Sequence, residues 1–218
     1  MSDAWMTRLA GRFVVFEGPD GSGKSTQFRR FVRAAQTVGV PVCEVREPGG
    51  TVVGEAIRAI LLDHAQKDMT LTCEMMLYMA SRAQLVEQRI RPAVASGQLV
   101  AADRFLPSTF AYQGTAGGLA RADIEAVARV ALLGCTPDLV LVFDVDEQTA
   151  QQRLSPLLDR MEAKGREFHR KVREGYRQQV AEHPTRYRRV DASLSEAEVW
   201  EQVRAVTRDF FAGKAERT

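Results

Sequence analysis

The chain has 218 residues, of which 45% are hydrophobic and 27% charged, and its formal net charge is only +2. The length and composition predict one globular domain over residues 1–218. The small net charge predicts no general binding to nucleic acid. No apolar segment approaches the ~18 residues that cross a bilayer, and the start of the chain lacks a secretory signal pattern, so we expect no membrane partner. Three scattered cysteines without a CxxC pair predict neither a disulfide framework nor a zinc site, and hence a cytoplasmic location.

Apolar runs and helical patterns alternate along the chain. In chain order the sequence predicts strand 12–18, helix 24–38, strand 40–47, helices 51–62 and 71–95, strand 97–104, a short helix from Pro107, helix 121–133, strand 137–145, two helices flanking 154–160, strand 187–193 and helix 196–211. This alternation is typical of an α/β protein, with a parallel sheet of five strands and helices on both faces.

The stretch GPDGSGKS, Gly18 to Ser25, matches the pattern G-x-x-x-x-G-K-[ST] between a predicted strand and a predicted helix. Its glycines permit a backbone that surrounds phosphate oxygens, and the following helix adds its positive N-terminal end. Lys24 can reach the β- and γ-phosphates, and Ser25 can ligate Mg²⁺. The predicted nucleoside triphosphate site consists of Gly18, Pro19, Asp20, Gly21, Ser22, Gly23, Lys24, Ser25 and Thr26.

The class of nucleotide-binding protein stays open at this point. A chain without Asn cannot supply the N-K-x-D motif with which GTPases read guanine. A motor or transporter ATPase needs an acid at the end of a buried strand, where both Asp103 and Asp144 qualify. Lys and Arg outnumber Asp and Glu between residues 153 and 189, which fits a solvated helix face or the docking surface of an ATP-dependent switch. A small kinase needs a second site for its acceptor.

Four further motifs follow the phosphate loop: REPGGT (46–51), YMASRAQL (78–85), DRFLPSTFAYQG (103–114) and LDRMEAKGREF (158–168). In this order and spacing the chain resembles the bacterial thymidylate kinases from about residue 13 to 210. The resemblance implies a P-loop NTPase three-layer sandwich with a short lid at about 153–166, usually in a homodimer. It also implies transfer of the γ-phosphoryl of ATP to dTMP with Mg²⁺, a step in dTTP synthesis. Kinases of UMP or AMP are the nearest alternative.

The resemblance also implies an acceptor site. Its dTMP-binding residues are Asp20, Pro48, Arg58, Tyr78, Arg82, Arg104, Ser108, Thr109, Tyr112 and Gln113. In the family, the arginines at positions 58 and 82 hold the acceptor phosphate, as guanidinium groups are suited to do. Tyr78 stands where a Phe usually stacks on thymine, and Pro48 lies in a turn beside the base.

The remaining acceptor residues are assigned to the sugar and to the edge of the base. A carboxylate at Asp20 holds the sugar 3′-hydroxyl in the family. Thr109 and Gln113 fall where the family reads the thymine edge and the sugar. Tyr112 stands where a ring crowds the 2′ position and rejects ribonucleotides.

The implied catalytic residues are Lys24, Asp20, Arg104, Arg160 and Arg153, and the implied Mg²⁺ ligands are Ser25 and Asp103. Family members with glycine at position 21 usually carry a catalytic arginine in the lid. The LDRME match places Ser155 at the usual position of that arginine, so we expect Arg160 first and Arg153 second to replace it. Arg166 or Arg170 could also contribute.

Overall fold

The computed structural model of the chain describes residues 3–153 and 160–213. One sheet of five parallel strands runs through it, in the order β2-β3-β1-β4-β5. The strands are β1 (Phe13–Glu17), β2 (Val42–Arg46), β3 (Leu99–Asp103), β4 (Leu139–Asp144) and β5 (Tyr187–Asp191). The predicted five-stranded parallel sheet is therefore confirmed.

Helices cover both faces of this sheet. They are α1 (Lys24–Thr37), α2 (Val52–Leu62), α3 (Leu71–Leu85), α4 (Arg91–Ala95), α5 (Leu106–Thr109), α6 (Arg121–Leu132), α7 (Glu147–Arg153), α8 (Arg166–Glu182) and α9 (Glu196–Ala212). A 3₁₀ helix covers Ala4–Leu9, and π-helical segments cover Val86–Ile90 and Phe110–Ala116. Within residues 3–153 and 160–213, no helix has the length and apolar character that crossing a bilayer requires.

The central strand β1 shows how the two cores form. Successive side chains of a strand point to opposite faces, so Val14 and Phe16 lie in a cluster with α1 and α9, while Phe13 and Val15 lie in one with α3, α6 and α8. The ring of Phe16 meets the rings of Phe28 and Phe31 edge-on, with centroids 5.4 and 5.2 Å away. Burial on both faces explains the continuous apolar runs in the sequence.

Three local features differ from the sequence-based expectation. The helix predicted over 71–95 is interrupted by the π-helical segment Val86–Ile90, after which Pro92 lies in the first turn of α4. The short helix predicted from Pro107 continues through Phe110–Ala116 as a second π-helical segment. The 3₁₀ helix Ala4–Leu9, which buries Met6 and Leu9, was not predicted. Of the lid predicted over 153–166, residues 154–159 lie outside the described part of the chain.

The parallel strands bring their carboxyl ends to one edge of the sheet, where ligands of such folds bind. The phosphate loop follows β1, Asp103 ends β3, and Asp144 ends β4. The second π-helical segment, which carries Tyr112 and Gln113, packs on α8 at the same edge. The fold thereby brings together motifs that are far apart in the sequence.

Gly175 permits the close approach of α8 to that π-helical segment. A Cβ atom at this position would lie 2.7 Å from Thr115 Oγ1 and 3.1 Å from Ala111 Cα. Because overpacking costs ~1–3 kcal/mol, we expect Gly175→Val to lower the free energy of unfolding by about 2 kcal/mol in urea denaturation. Gln178→Val, at an exposed position of the same helix, is the control and should cost no more than ~0.5 kcal/mol of helix propensity. Equal denaturation midpoints for both variants would contradict this account.

Candidate active site

The phosphate loop lies between β1 and α1. Gly18, Gly21 and Gly23 have positive φ angles of 145°, 77° and 76°. A Cβ atom on Gly18 would lie 2.6 Å from the carbonyl oxygen of Phe143, and a Cβ atom on Gly21 would collide with the backbone of Ala150. Only glycine fits this backbone without strain. The loop leads directly into the N-terminus of α1, which favours an anionic ligand.

Asp103, at the end of β3, connects the two polar side chains that open α1. Its carboxylate forms an ion pair with Lys24 Nζ. Ser25 Oγ donates to Asp103 Oδ2 at 3.2 Å. Burial acts to raise the pKa of Asp103, but the charge and hydrogen bond of Lys24 hold that pKa below its usual range. The carboxylate is therefore ionised beside the hydroxyl group, a pair of oxygen donors of the kind that Mg²⁺ binds.

Asp144, the other acid at a strand end, has different partners. Its oxygens accept hydrogen bonds from Arg173 at 2.6 Å, Arg177 at 2.9 Å and Arg189 at 3.0 Å. These arginines belong to the basic stretch 153–189, so part of that stretch neutralises a buried carboxylate. Within the described residues it is Asp103, and not Asp144, that contacts Lys24 and Ser25.

Asp20, Arg104 and Tyr112 form a polar cluster on the other side of the phosphate loop. Arg104 Nη2 pairs with Asp20 Oδ1, and the Tyr112 hydroxyl donates to Asp20 Oδ2 at 3.0 Å. The Arg104 guanidinium also lies over the Tyr112 ring, 5.2 Å from its centroid. Burial acts to raise the pKa of Asp20, but the charges of Arg104 and Lys24 outweigh burial and hold that pKa below its usual range. The ionised Asp20 carboxylate thus holds the Arg104 guanidinium and the Tyr112 hydroxyl next to the phosphate loop.

Glu17 is a fully buried carboxylate that sequence analysis did not select. It ends β1 and accepts hydrogen bonds from the backbone N–H of Phe105 at 2.7 Å, Ser108 Oγ at 2.7 Å and the Tyr176 hydroxyl at 2.9 Å. Burial raises its pKa, although the charge of Arg104 opposes this. Arg104 Nη1 in turn donates to Ser108 and Tyr176, each at 3.1 Å. An acid at the end of the apolar run FVVF was the only sequence signal for this role.

Arg82, which the resemblance assigns to the acceptor phosphate, is 1% exposed and forms a buried ion pair with Glu47. Its Nε and Nη2 atoms donate to Glu47 at 2.8 and 2.6 Å, and its Nη1 atom donates to Thr109 Oγ1 at 3.1 Å. Burial raises the pKa of Glu47 to about 7, against the opposing charge of Arg82. Arg58, the other arginine of that assignment, donates from Nη1 to the carbonyl oxygen of Pro48 at 3.0 Å.

Two cavities meet at Asp20, Lys24 and Ser25, which line both of them. One, of about 460 Å³, is bordered by the phosphate loop, Arg153 and residues around Leu194. The other, of about 300 Å³, is lined by every residue predicted for the acceptor site except Arg82. The arrangement can therefore hold two ligands with their anionic ends side by side at Lys24.

The two arginines predicted to act from the lid, Arg153 and Arg160, lie in different places. Arg153 donates from Nη1 to the carbonyl oxygen of Ala192 at 2.8 Å and lines the cavity beside the phosphate loop. Arg160 donates from Nε to the carbonyl oxygen of Leu61 and from Nη2 to Glu74, both at 2.7 Å. Arg166 and Arg170 pair with carboxylates at the surface. Ser155 and Pro156 lie outside the described residues.

Comparison with known proteins agrees with this geometry. Residues 16–203 match the family model described as Thymidylate kinase. The chain is 45% identical over 191 residues to the thymidylate kinase of Pelotomaculum thermopropionicum, which covers 86% of this chain and 88% of the relative. It is 39% identical over 206 residues to the thymidylate kinase of Caldanaerobacter subterraneus subsp. tengcongensis, and this match covers 94% of this chain and 99% of the relative. It is 42% identical over 189 residues to the thymidylate kinase of an Exiguobacterium species, and this match covers 86% of this chain and 89% of the relative.

The buried pair of Glu47 and Arg82 allows a prediction about stability. Glu47→Gln leaves the Arg82 guanidinium buried without a counter-charge, which costs ~3–5 kcal/mol when a buried pair is broken on one side. We expect a loss of about 3 kcal/mol in the free energy of unfolding. Urea denaturation at about pH 8.5 measures it, because Glu47 is ionised there, above its pKa of about 7.

Two variants serve as controls for this prediction. Glu125→Gln makes the same chemical change in an exposed pair with Arg121 and should cost less than ~1 kcal/mol. Glu47→Gln combined with Arg82→Met should recover more than half of the loss, because no buried charge is then left. A loss below 1 kcal/mol for Glu47→Gln alone would contradict the assignment.

Proposed function

The chain belongs to the thymidylate kinase family, and we propose that it transfers the γ-phosphoryl group of ATP to dTMP, giving dTDP and ADP for dTTP synthesis. The observation that carries this proposal is the pair of cavities meeting at Lys24. Direct transfer between two nucleotides needs their phosphates adjacent and in line.

ATP is proposed to occupy the cavity of the phosphate loop. The backbone N–H groups of residues 18–26 would bind its phosphates, and Lys24 would leave Asp103 to contact the β- and γ-phosphates. The part of this cavity beside Leu194 and Val199 offers an apolar surface for the base.

The acceptor dTMP is proposed to occupy the smaller cavity. Tyr78 lies there to stack on the base, and Asp20, held by Arg104 and Tyr112, would accept a hydrogen bond from the sugar 3′-hydroxyl. Arg58 and Arg104 line the same cavity and would bind the acceptor phosphate. We propose that Arg82 acts on the acceptor through Thr109, with which it shares a hydrogen bond.

The donor set at Asp103 fits Mg²⁺. Ser25 and Asp103 supply adjacent oxygen atoms, and Mg²⁺ in such sites takes few protein ligands because phosphates and water complete its octahedron. Within the described residues no group of three or more His, Cys, Asp or Glu could hold a metal ion by itself. The ion would supply positive charge to the phosphates when bound.

Phosphoryl transfer needs no covalent intermediate with the protein, whose side chains position the two nucleotides and stabilise charge. An oxygen of the dTMP phosphate bonds to the γ-phosphorus while the bond from that phosphorus to the β–γ bridging oxygen breaks, and the electron pair leaves with ADP. No general base is required, because a phosphate monoester with a second pKa near ~6 is largely ionised at neutral pH. Lys24, Arg104 and a lid arginine would stabilise the charge on the phosphoryl oxygens.

A second copy of this chain is the proposed partner. On α2 and α3, Val52, Val53, Ile60 and Met76 expose between 44% and 88% of their surface. Large apolar side chains on two helices that pack together fit a homodimer interface, which the molar mass in solution tests. We also propose a cytoplasmic location, which the free thiols of Cys43, Cys73 and Cys135 fit.

The proposed activity is tested by ADP release with dTMP, dUMP, UMP and AMP as acceptors in turn. We expect the highest kcat/KM with dTMP, and no detectable transfer by Lys24→Ala because the cation at the β/γ-phosphates is lost. Lys171→Ala, an exposed position on α8, is the matched control, and circular dichroism reports folding of both variants. Equal or better turnover with UMP or AMP would rule out dTMP as the acceptor.

We propose different roles for Arg153 and Arg160, the two arginines predicted for the lid. A side chain at position 21 would meet the backbone of Ala150, so the phosphate loop has no room for its own cation there, and Arg153 lies beside it. Since an arginine supplied to the phosphoryl group is worth ~10³–10⁵ in rate, we expect Arg153→Ala to lower kcat ~10³-fold with little change in the KM for dTMP. Arg160→Ala should instead mainly raise that KM. Steady-state kinetics decide this, and kcat within threefold for both variants would end the lid-arginine hypothesis.

A further inference from the structure

Glu74 is a buried carboxylate to which phosphoryl transfer assigns no role. It lies in the first turn of α3, and its side chain is 2% exposed. Gln113 donates from Nε2 to Glu74 Oε1 at 2.8 Å. Arg160 Nη2 and Lys164 Nζ lie 2.7 and 3.3 Å from Glu74 Oε2. One carboxylate therefore joins the acceptor cavity to Arg160 and Lys164, which lie in the second half of the predicted lid.

The bond between Glu74 and Gln113 fixes which end of an amide faces the cavity. An ionised carboxylate only accepts hydrogen bonds, so the nitrogen of the Gln113 amide must face Glu74 and its oxygen must face away. Burial acts to raise the pKa of Glu74, but the hydrogen bond of Gln113 and the charges of Lys164 and Arg160 lower it. The carboxylate is therefore ionised at neutral pH. Gln113 is 1% exposed and lines the smaller cavity, so its free amide oxygen is a group that can meet a ligand there.

We propose that Glu74 is a positioning residue that holds the Gln113 amide oxygen toward the acceptor, so that the site selects a pyrimidine whose ring nitrogen N3 carries a proton. This inference rests on the proposed function, because it requires a pyrimidine nucleotide in the smaller cavity. Thymine and uracil present an N3–H donor to the amide oxygen. Cytosine presents an N3 lone pair, which would place two acceptors against each other.

The expected discrimination is large because a buried acceptor left without a donor is costly. Sites built to hydrogen-bond a substrate group reject analogues lacking it by ~10⁴–10⁵ in the best cases. Glu74→Gln removes the constraint without changing the shape of the side chain, since a neutral amide both donates and accepts. The Gln113 amide can then turn over and donate to the N3 atom of cytosine.

The test compares dTMP with dCMP in binding, by calorimetry, and in kcat/KM, for each variant. In Glu74→Gln the preference for dTMP over dCMP should fall at least ~10-fold. Lys164→Gln removes one of the cations on Glu74 but leaves the Glu74–Gln113 bond, so its preference should match that of the wild type. The exchange Glu74→Gln with Gln113→Glu restores a donor facing an acceptor, and its second carboxylate oxygen faces the cavity, so the preference for dTMP should return.

Comparing two ligands within each variant cancels any general loss of activity. A Glu74→Gln preference within twofold of the wild type would overturn the inference, as would an exchange variant that folds but prefers neither nucleotide. If Glu74→Gln alone does not fold, the exchange variant decides by itself. Wild-type protein that binds dTMP over dCMP without transferring phosphate would refute the proposed function and leave the selection by Glu74 to be judged from the binding ratios.

Discussion

The burial of Glu17 is the constraint on which the geometry of the site depends. A carboxylate at the end of the central strand, with no exposed surface, must have its oxygens satisfied within the protein. Its partners come from the segment after β3 and from α8. The strand that leads into the phosphate loop is thereby tied to both elements that surround the acceptor cavity. A displacement of either element would break a buried hydrogen bond, so the burial of Glu17 opposes changes in the shape of the smaller cavity.

The cations of the site are already held by carboxylates before any nucleotide binds. Lys24 contacts Asp103, and Arg104 contacts Asp20. Such pairs place positive charge in advance, which is the condition for electrostatic stabilisation without reorganisation during the reaction. In the proposed complex this arrangement also has a cost, because Lys24 exchanges a carboxylate for phosphate oxygens. Arg104 keeps its carboxylate in that complex, because it lines the smaller cavity while its guanidinium contacts Asp20, Ser108 and Tyr176.

The parts of this molecule that sequence analysis could predict are those with a local signal. The phosphate loop is a continuous pattern, and β1, β3 and β4 are almost continuous apolar runs because both faces of the sheet are covered there. Glu47 and Glu74 gave no such signal, since their partners Arg82 and Gln113 lie 35 and 39 residues away. Tyr176 meets Glu17 across 159 residues. The π-helical segments could not be predicted for a different reason. One extra residue in a helical turn changes the spacing of apolar residues too little to be distinguished from an α-helical pattern.

The π-helical segment Phe110–Ala116 makes the acceptor site sensitive to length rather than to composition. Tyr112 and Gln113, adjacent in sequence, are both buried there and face different partners, Asp20 and Glu74. Removing one residue before them would move both side chains by one position along the segment, and consecutive side chains of a helical segment point in different directions. Gln113 would then leave Glu74 although no contacting residue had been replaced.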